Sequence, residues 1–321
     1  MSKLKDITNF IRTLKVTYSI NNLLHYSQLK HNKALYKKYG LQKPVWSSIS
    51  STDFKELTPP FSPWLDKQSL KELAEDSTEF QSFEPSIQQS IIDWSEEGYS
   101  ILQGFFEEEA DQVNAEIEQL LNNGKIKFKY GNKLMFVLHQ SALIYNMATH
   151  PTLTKVLSFL VGKPVNIFQS INFIKGSQQG PHSDTIHMTT YPLGYLIAVW
   201  IALEDIGPEQ GPLFYYPKSH KLPYVLNDDF EHHGTNHRIG SNANQLYERH
   251  INTMVKEQKI EPKTLLAKKG DVLIWHANLL HGGMPILNPE LTRKSMVFHY
   301  YAEDVICYHE ITQRPALFKK G

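Results

Sequence analysis

Gly180-Pro181-His182-Ser183-Asp184 is a turn followed by a histidine and a carboxylate two residues apart. On an extended backbone, side chains at i and i+2 leave the same face, so His182 and Asp184 can grip one ion from one side. A third ligand has to come from a distant strand edge. Trp275-His276-Ala277-Asn278-Leu279-Leu280-His281-Gly282-Gly283 offers two, His276 and His281. Two imidazoles and one carboxylate on one face of an octahedron leave positions open, the arrangement that holds non-haem Fe(II) for oxygen chemistry. The single cysteine, Cys307, excludes a thiolate cluster and an intramolecular disulfide. Metal chemistry here therefore uses nitrogen and oxygen ligands, and the expected compartment is reducing and cytoplasmic.

Outward from that stretch the chain reads as short strands between turns. Ile126 to Leu138, Val165 to Lys175, Tyr195 to Leu203, Val272 to Trp275 and Thr292 to Tyr301 are rich in β-branched and aromatic residues. Gly211-Pro212-Leu213, Pro217-Lys218-Ser219-His220 and Gly270-Asp271 punctuate them. This pattern predicts an all-β sandwich or barrel with helices outside it. Before it, Ile87, Ile91 and Trp94 recur at helical spacing, Glu97-Gly98-Tyr99 ends that helix, and Ser100 to Phe106 forms a short strand. Ala110 to Leu121 then gives a second amphipathic helix closed by Asn122-Asn123-Gly124. Between about 228 and 262 the composition turns polar and rich in His and Asn. A partly helical insertion is expected there, placed to act as a lid or as a surface excursion.

Residues 1–75 read as a helical extension and connector, and 76–321 as the main domain. Leu4, Ile7, Ile11 and Leu14 repeat at helical spacing and Leu23, Leu24, Tyr26 and Leu29 continue the stripe, with Lys and Arg greatly outnumbering acids. Such a segment can sit on an anionic membrane surface or on a partner. No apolar run here has signal-peptide length, and the longest, Tyr195 to Leu203, is too short to span a bilayer. Lys plus Arg and Asp plus Glu both number 33, so no global field points to nucleic acid. The expected partner is a small-molecule substrate.

Taken in order, His182-x-Asp184, Gly211-Pro212-Leu213, Pro217-x-Ser219-His220, Gly270-Asp271, His281-Gly282 and Arg293 form a series. It resembles the phytanoyl-CoA dioxygenase family of Fe(II)- and 2-oxoglutarate-dependent oxygenases over roughly residues 87 to 303. The resemblance implies a double-stranded β-helix, the cupin-like jelly roll, and Fe(II), 2-oxoglutarate and O2 as cofactor and co-substrates. It implies iron on His182, Asp184 and His281, with His276 in the core or behind the ligands. Arg293, about a dozen residues after His281, would meet the far carboxylate of 2-oxoglutarate with two parallel hydrogen bonds, which a lysine cannot do.

Gln169 to Gly176 is similar to the corresponding strand of the ectoine hydroxylase branch. That similarity implies Asn172 and Lys175 on 2-oxoglutarate, Gln169 facing the substrate and His187 at the pocket mouth. Trp200 falls where the family has an aromatic lining the co-substrate pocket. Lys218 stands where the family has glycine, and Gly283 where many members have serine. The implied reaction is hydroxylation of a C–H bond of a small metabolite with release of succinate and CO2. A zinc hydrolase on the same scaffold and a non-catalytic binding protein are the rival readings. Tyr191, Tyr195, Tyr215, Tyr216 and His187, expected near the mouth, suit a polar, hydrogen-bonding substrate and equally an acyl thioester.

Overall fold

The computed structural model describes residues 11, 13–59, 61, 63 and 77–318. The helical repeat expected at Leu4 and Ile7, and the boundary set near residue 75, lie outside them. Thirteen strands among these residues make three antiparallel sheets. The strands are β1 (Tyr99–Leu102), β2 (Phe128–Lys129), β3 (Lys133–Met135), β4 (Val165–Phe173), β5 (Thr189–Tyr191), β6 (Leu196–Ala202) and β7 (Leu213–Tyr215). There follow β8 (Lys263–Leu265), β9 (Val272–His276), β10 (His281–Gly283), β11 (Ser295–Ala302), β12 (Ile306–His309) and β13 (Arg314–Pro315).

The large sheet runs β1-β9-β6-β11-β4-β3-β2, and two small sheets run β10-β7-β8 and β13-β12-β5. A bridge between His182 and His281 ties the turn at 180–184 to β10. The jelly roll expected from the sequence is this arrangement, with helices packed outside it.

Strand alternation divides the large sheet into two faces. Met296, Phe298 and Tyr300 of β11 and Leu196, Ile197, Val199 and Ile201 of β6 pack under the helices α3 (Pro85–Glu97), α4 (Glu107–Asn122), α5 (Ala142–Ala148) and α6 (Pro151–Val161). Val297, Ala198, Trp200, Ala202, Leu273, Trp275, Ile171 and Phe173 point instead into the jelly roll. Both faces of β6 and β11 are covered, so all their residues are buried. This explains why Tyr195 to Leu203 reads as a continuous apolar run rather than as an alternation.

Two additions dock on this core. Helices α1 (Lys15–Leu24) and α2 (Asn32–Tyr39) lead into a cluster of Leu29, Tyr36, Tyr39, Val45, Ile49 and Phe54, which packs on Tyr191 of β5 and Ile306 and Tyr308 of β12. The polar insertion carries α7 (Ala243–Gln258), whose Ala243, Tyr247, Ile251 and Val255 form one apolar row buried on Ile186, Tyr216 and Leu280. The Tyr247 hydroxyl lies 3.1 Å from both the amide nitrogen and the Oγ of Ser183, between His182 and Asp184. The insertion is thus packed down on the turn at 180–184.

Candidate metal centre

His182, Asp184 and His281 are all buried, and one potential ligand atom from each lies within 4.8 Å of the others. The local chain prepares both imidazoles. Nδ1 of His182 donates to the Gly180 carbonyl at 2.9 Å, and Nδ1 of His281 donates to the Leu279 carbonyl at 2.9 Å. Each Nε2 is left to face the shared point, where His281 Nε2 stands 3.7 Å from Asp184 Oδ1. Burial, then the neighbouring His281, holds the His182 imidazole well below its ordinary pKa, so it is neutral and able to ligate at physiological pH. Burial alone would push the Asp184 carboxyl up. His281 and then His299 overcome that and hold it well below the usual carboxylate range.

Two residues that motif reading missed orient Asp184. The Trp275 indole N–H donates to its Oδ2 at 2.7 Å, and His299 Nε2 approaches the same oxygen at 3.6 Å. Gln169 Nε2 donates to His299 Nδ1 at 3.3 Å, which selects the tautomer carrying its proton on Nε2, toward Asp184. The signal was present in the register: Gln169, His299, Ala198 and Trp275 are consecutive cross-strand partners and so share the interior face. The expectation for Gln169 therefore takes a different form, since its amide is turned onto His299 beside the metal ligands.

Further along the interior, Ile171, Val297, Trp200 and Leu273 form the next rung, and Phe173, Ser295 and Ala202 the one after. Arg293 stands just beyond, 3% exposed, with its guanidinium carbon 5.7 Å from the Phe173 ring centroid. Nη1 donates to the Gly211 carbonyl at 3.3 Å, but Nε has no partner and no carboxylate pairs with the guanidinium among the described residues. Burial pulls its pKa down to about 10, which leaves it charged at neutral pH. The Trp200 indole nitrogen and the Ser295 hydroxyl on the same face are likewise buried without partners. From His299 to Ser295 is four residues, roughly 13 Å of strand. The interior face thus carries three metal-ligand candidates at one end and, at the other, a cation with no carboxylate partner among the described residues. Lys133 of β3, opposite Phe173, adds a second cation that acts electrostatically on Asp184 and His187.

The remaining expectations divide. His187 sits at the ligand end, its ring 6.0 Å from that of His182 and 5.5 Å from that of His309, and burial pulls it down to about 4. His309, which sequence reading passed over, accepts the Thr312 amide on Nδ1 and so presents Nε2–H. Asn172 pairs with Met296 and Leu134, which places it on the helix-covered face, away from the interior face that carries Gln169 and Ile171. Lys175 is exposed and donates to the Pro289 carbonyl. The structure brings neither to the site, because one residue of strand separates the two faces.

The four tyrosines expected at the mouth are also elsewhere. Tyr191 stacks on Phe54, Tyr195 packs on Phe61, Tyr215 packs on Tyr99, and Tyr216 lies under α7. His276 is a core residue between Trp94 and His220, pulled down to about 3 by burial. Gly282 and Gly283 do admit a close approach, but by the chain itself. A Cβ on Gly282 would stand 2.7 Å from the Gln179 carbonyl, and one on Gly283 would stand 2.6 Å from Ser177 Oγ. A serine hydroxyl is therefore present beside the position where many family members have their own.

The donor set fits a divalent iron: two imidazoles, one ionised carboxylate and no sulfur. A model of the phytanoyl-CoA dioxygenase family matches residues 94–295. The chain belongs to the phytanoyl-CoA dioxygenase family. Within that family, phytanoyl-CoA dioxygenase domain-containing protein 1 of Bos taurus and of Danio rerio are each 36% identical over 95 residues, covering 28% of this chain. The match spans 32% of those relatives' length. Among solved structures, EctD from S. alaskensis with 2-oxoglutarate and 5-hydroxyectoine superposes with a TM-score of 0.58 at 17% identity, over 83% of this chain and 91% of that one. The non-heme α-ketoglutarate-dependent epimerase SnoN from nogalamycin biosynthesis gives 0.54 at 21% identity, over 70% and 86%. These likenesses establish the family's jelly-roll fold for this chain. No helix among the described residues is long and apolar enough to cross a membrane.

Proposed function

We propose that the chain is an Fe(II)- and 2-oxoglutarate-dependent dioxygenase that hydroxylates a C–H bond of a small molecule, releasing succinate and CO2. One observation carries this reading: buried Arg293, without a carboxylate partner among the described residues, lies at the far end of the interior face that begins at His182, Asp184 and His281. A desolvated cation held without a counter-ion is costly, and a dicarboxylate spanning that face supplies the missing anion. A zinc hydrolase gives Arg293, Trp200 and Ser295 no such role.

In this reading His182, Asp184 and His281 hold the metal, and the guanidinium takes the distal carboxylate through two parallel bonds. Trp275 and His299 keep Asp184 ionised and oriented. Trp200 and Ser295 line the co-substrate, and His187 with the Nε2–H of His309 faces the substrate. When bound, the metal and oxoacid supply the oxidising chemistry: O2 gains two electrons from oxidative decarboxylation of 2-oxoglutarate and two from the C–H bond. Its two oxygen atoms end in succinate and in the new hydroxyl. The apolar lining of Ile171, Val297, Leu273 and Phe173 limits water along that face.

The test is anaerobic spectroscopy of the purified protein with Fe(II) and then 2-oxoglutarate, on wild type and Arg293→Leu. A weak visible charge-transfer band is expected in wild type. Binding of 2-oxoglutarate should fall roughly 10- to 100-fold in the variant, the loss expected for a charge-assisted pair. The variant should fold at least as stably as wild type, since it removes an unpaired buried charge. A wild type that gives neither the band nor succinate in air would overturn the proposal.

A further inference from the structure

We propose that the N-terminal extension is a docking surface for an anionic lipid bilayer. Two independent features of this extension point there, one apolar and one electrostatic. Five of the twelve exposed large apolar side chains among the described residues fall within 14 positions: Ile11, Val16, Ile20, Leu23 and Leu24. Val16, Ile20 and Leu24 are spaced at four, a single row along α1, and they are 59%, 55% and 79% exposed.

The helix is not loosely placed. Its start is bridged to the insertion through Leu14 and Arg238, with the Lys15 amide donating to the His237 carbonyl at 3.0 Å. Asn22 is buried and donates to the Trp46 carbonyl at 3.0 Å, and Tyr18 takes the Arg314 guanidinium over its ring at 5.0 Å. The chain therefore fixes the polar side of α1 inward and turns the apolar row out.

The charge distribution selects the occupant. Residues 1–45 contain nine Lys and Arg and one acid, Asp6, in a chain whose formal charge is zero, so the remainder is net negative by the same eight charges. Lys38 and Lys43 are committed to Asp304 and Asp53, whereas Lys30, Lys33 and Lys37 pair with no carboxylate among the described residues. Lys33 and Lys37, one turn apart on α2, line a cleft of about 560 Å³ with Tyr26 and Trp46. The buried Tyr36 hydroxyl, also in its lining, has no hydrogen-bond partner among the described residues. Tyr26 comes two residues after Leu24, so the cleft adjoins the end of the apolar row. Lysines for a phosphate headgroup, Tyr and Trp at interface depth and an apolar row beside them suit an anionic bilayer. Arg314 also ties Tyr18 of α1 to β13, the edge strand paired with the end of β12 that bears His309.

Flotation of the full chain with phosphatidylcholine vesicles, with and without phosphatidylglycerol, tests this independently of any activity. Binding should require the anionic lipid and fall with added salt. Lys33→Glu/Lys37→Glu should weaken it by about fivefold or more per lysine, and Ile20→Asp/Leu24→Asp should abolish it without changing the thermal unfolding of the exposed-site variant. Equal binding to both vesicle types, or none to either at low salt, would overturn the proposal. So would vesicle-free dimerisation that Ile20→Asp/Leu24→Asp dissolves, since the face would then be covered by a second copy. Binding of free glycerol phosphate in the cleft without vesicle binding would equally overturn it, assigning the lysines to a soluble ligand.

Discussion

Two amphipathic helices have been added to the same jelly roll, and they face opposite ways. Helix α7 turns Ala243, Tyr247, Ile251 and Val255 inward onto the turn at 180–184, while α1 turns Val16, Ile20 and Leu24 outward and buries Asn22. Both show helical periodicity in sequence, so periodicity alone identifies the element but not the direction of its apolar side. The difference separates a helix that completes the fold from one whose apolar surface remains unspent after folding.

Matched substitutions sharpen that contrast most strongly. Ile251 is fully buried and Ile20 is 55% exposed. Ile251→Asp places a carboxylate among Ile186, Val255 and Leu280, and we expect it to cost about 3–5 kcal/mol or to prevent folding. Ile20→Asp should stay within about 0.5 kcal/mol of wild type. Urea unfolding of both variants checks the pair, and equal costs would break the comparison.

A smaller effect is expected where α7 touches the site itself. Tyr247→Phe keeps the ring but strips the partner from the buried Ser183 amide, at a cost of about 1–3 kcal/mol. Because Ser183 stands between two ligand candidates, Co(II) titration should show weaker metal binding in this variant. Ile20→Asp should leave metal binding unchanged. A Tyr247→Phe protein that binds Co(II) as wild type does would reduce α7 to a cover without influence on the turn at 180–184.

What could be read from the sequence follows the same division between local pattern and long-range packing. The His182-x-Asp184 spacing, the apolar run of β6 and the ordered motifs placed the core strands, because each rests on alternation or turn chemistry within a few residues. Asn172 was placed on the co-substrate by resemblance, yet a strand register fixed by pairing with Met296 turns it to the other face. Trp275 and His299 read in sequence only as strand residues, since their contact with Asp184 depends on cross-strand neighbours up to 115 positions away. Tyr191 and Tyr216 are expected near the pocket mouth, but the extension and the insertion cover them. Helical periodicity gave no way to foresee which added segment would cover which strand.

The smallest effect is expected at the turn that leads toward α7. In Pro217-Lys218-Ser219-His220 the lysine itself adopts φ +66, the left-handed conformation that glycine takes without steric cost. The reason the chain keeps this shape lies next door: Ser219 Oγ accepts the Leu280 amide at 2.9 Å, fixing the residue before His281, and His220 packs on His276. Any relaxation at 218 would move both. Lys218→Gly relieves the strained conformation but loses a half-exposed contact with Glu97 at 3.2 Å and adds chain entropy to the unfolded state. The net expectation is a gain of about 0.5–1 kcal/mol, read as a higher melting temperature, with Co(II) affinity unchanged because the Ser219 bond is retained. A loss of stability would mean that the Glu97 contact outweighs the backbone strain. The turn would then be held by α3, to which Glu97 belongs, and not by its own geometry.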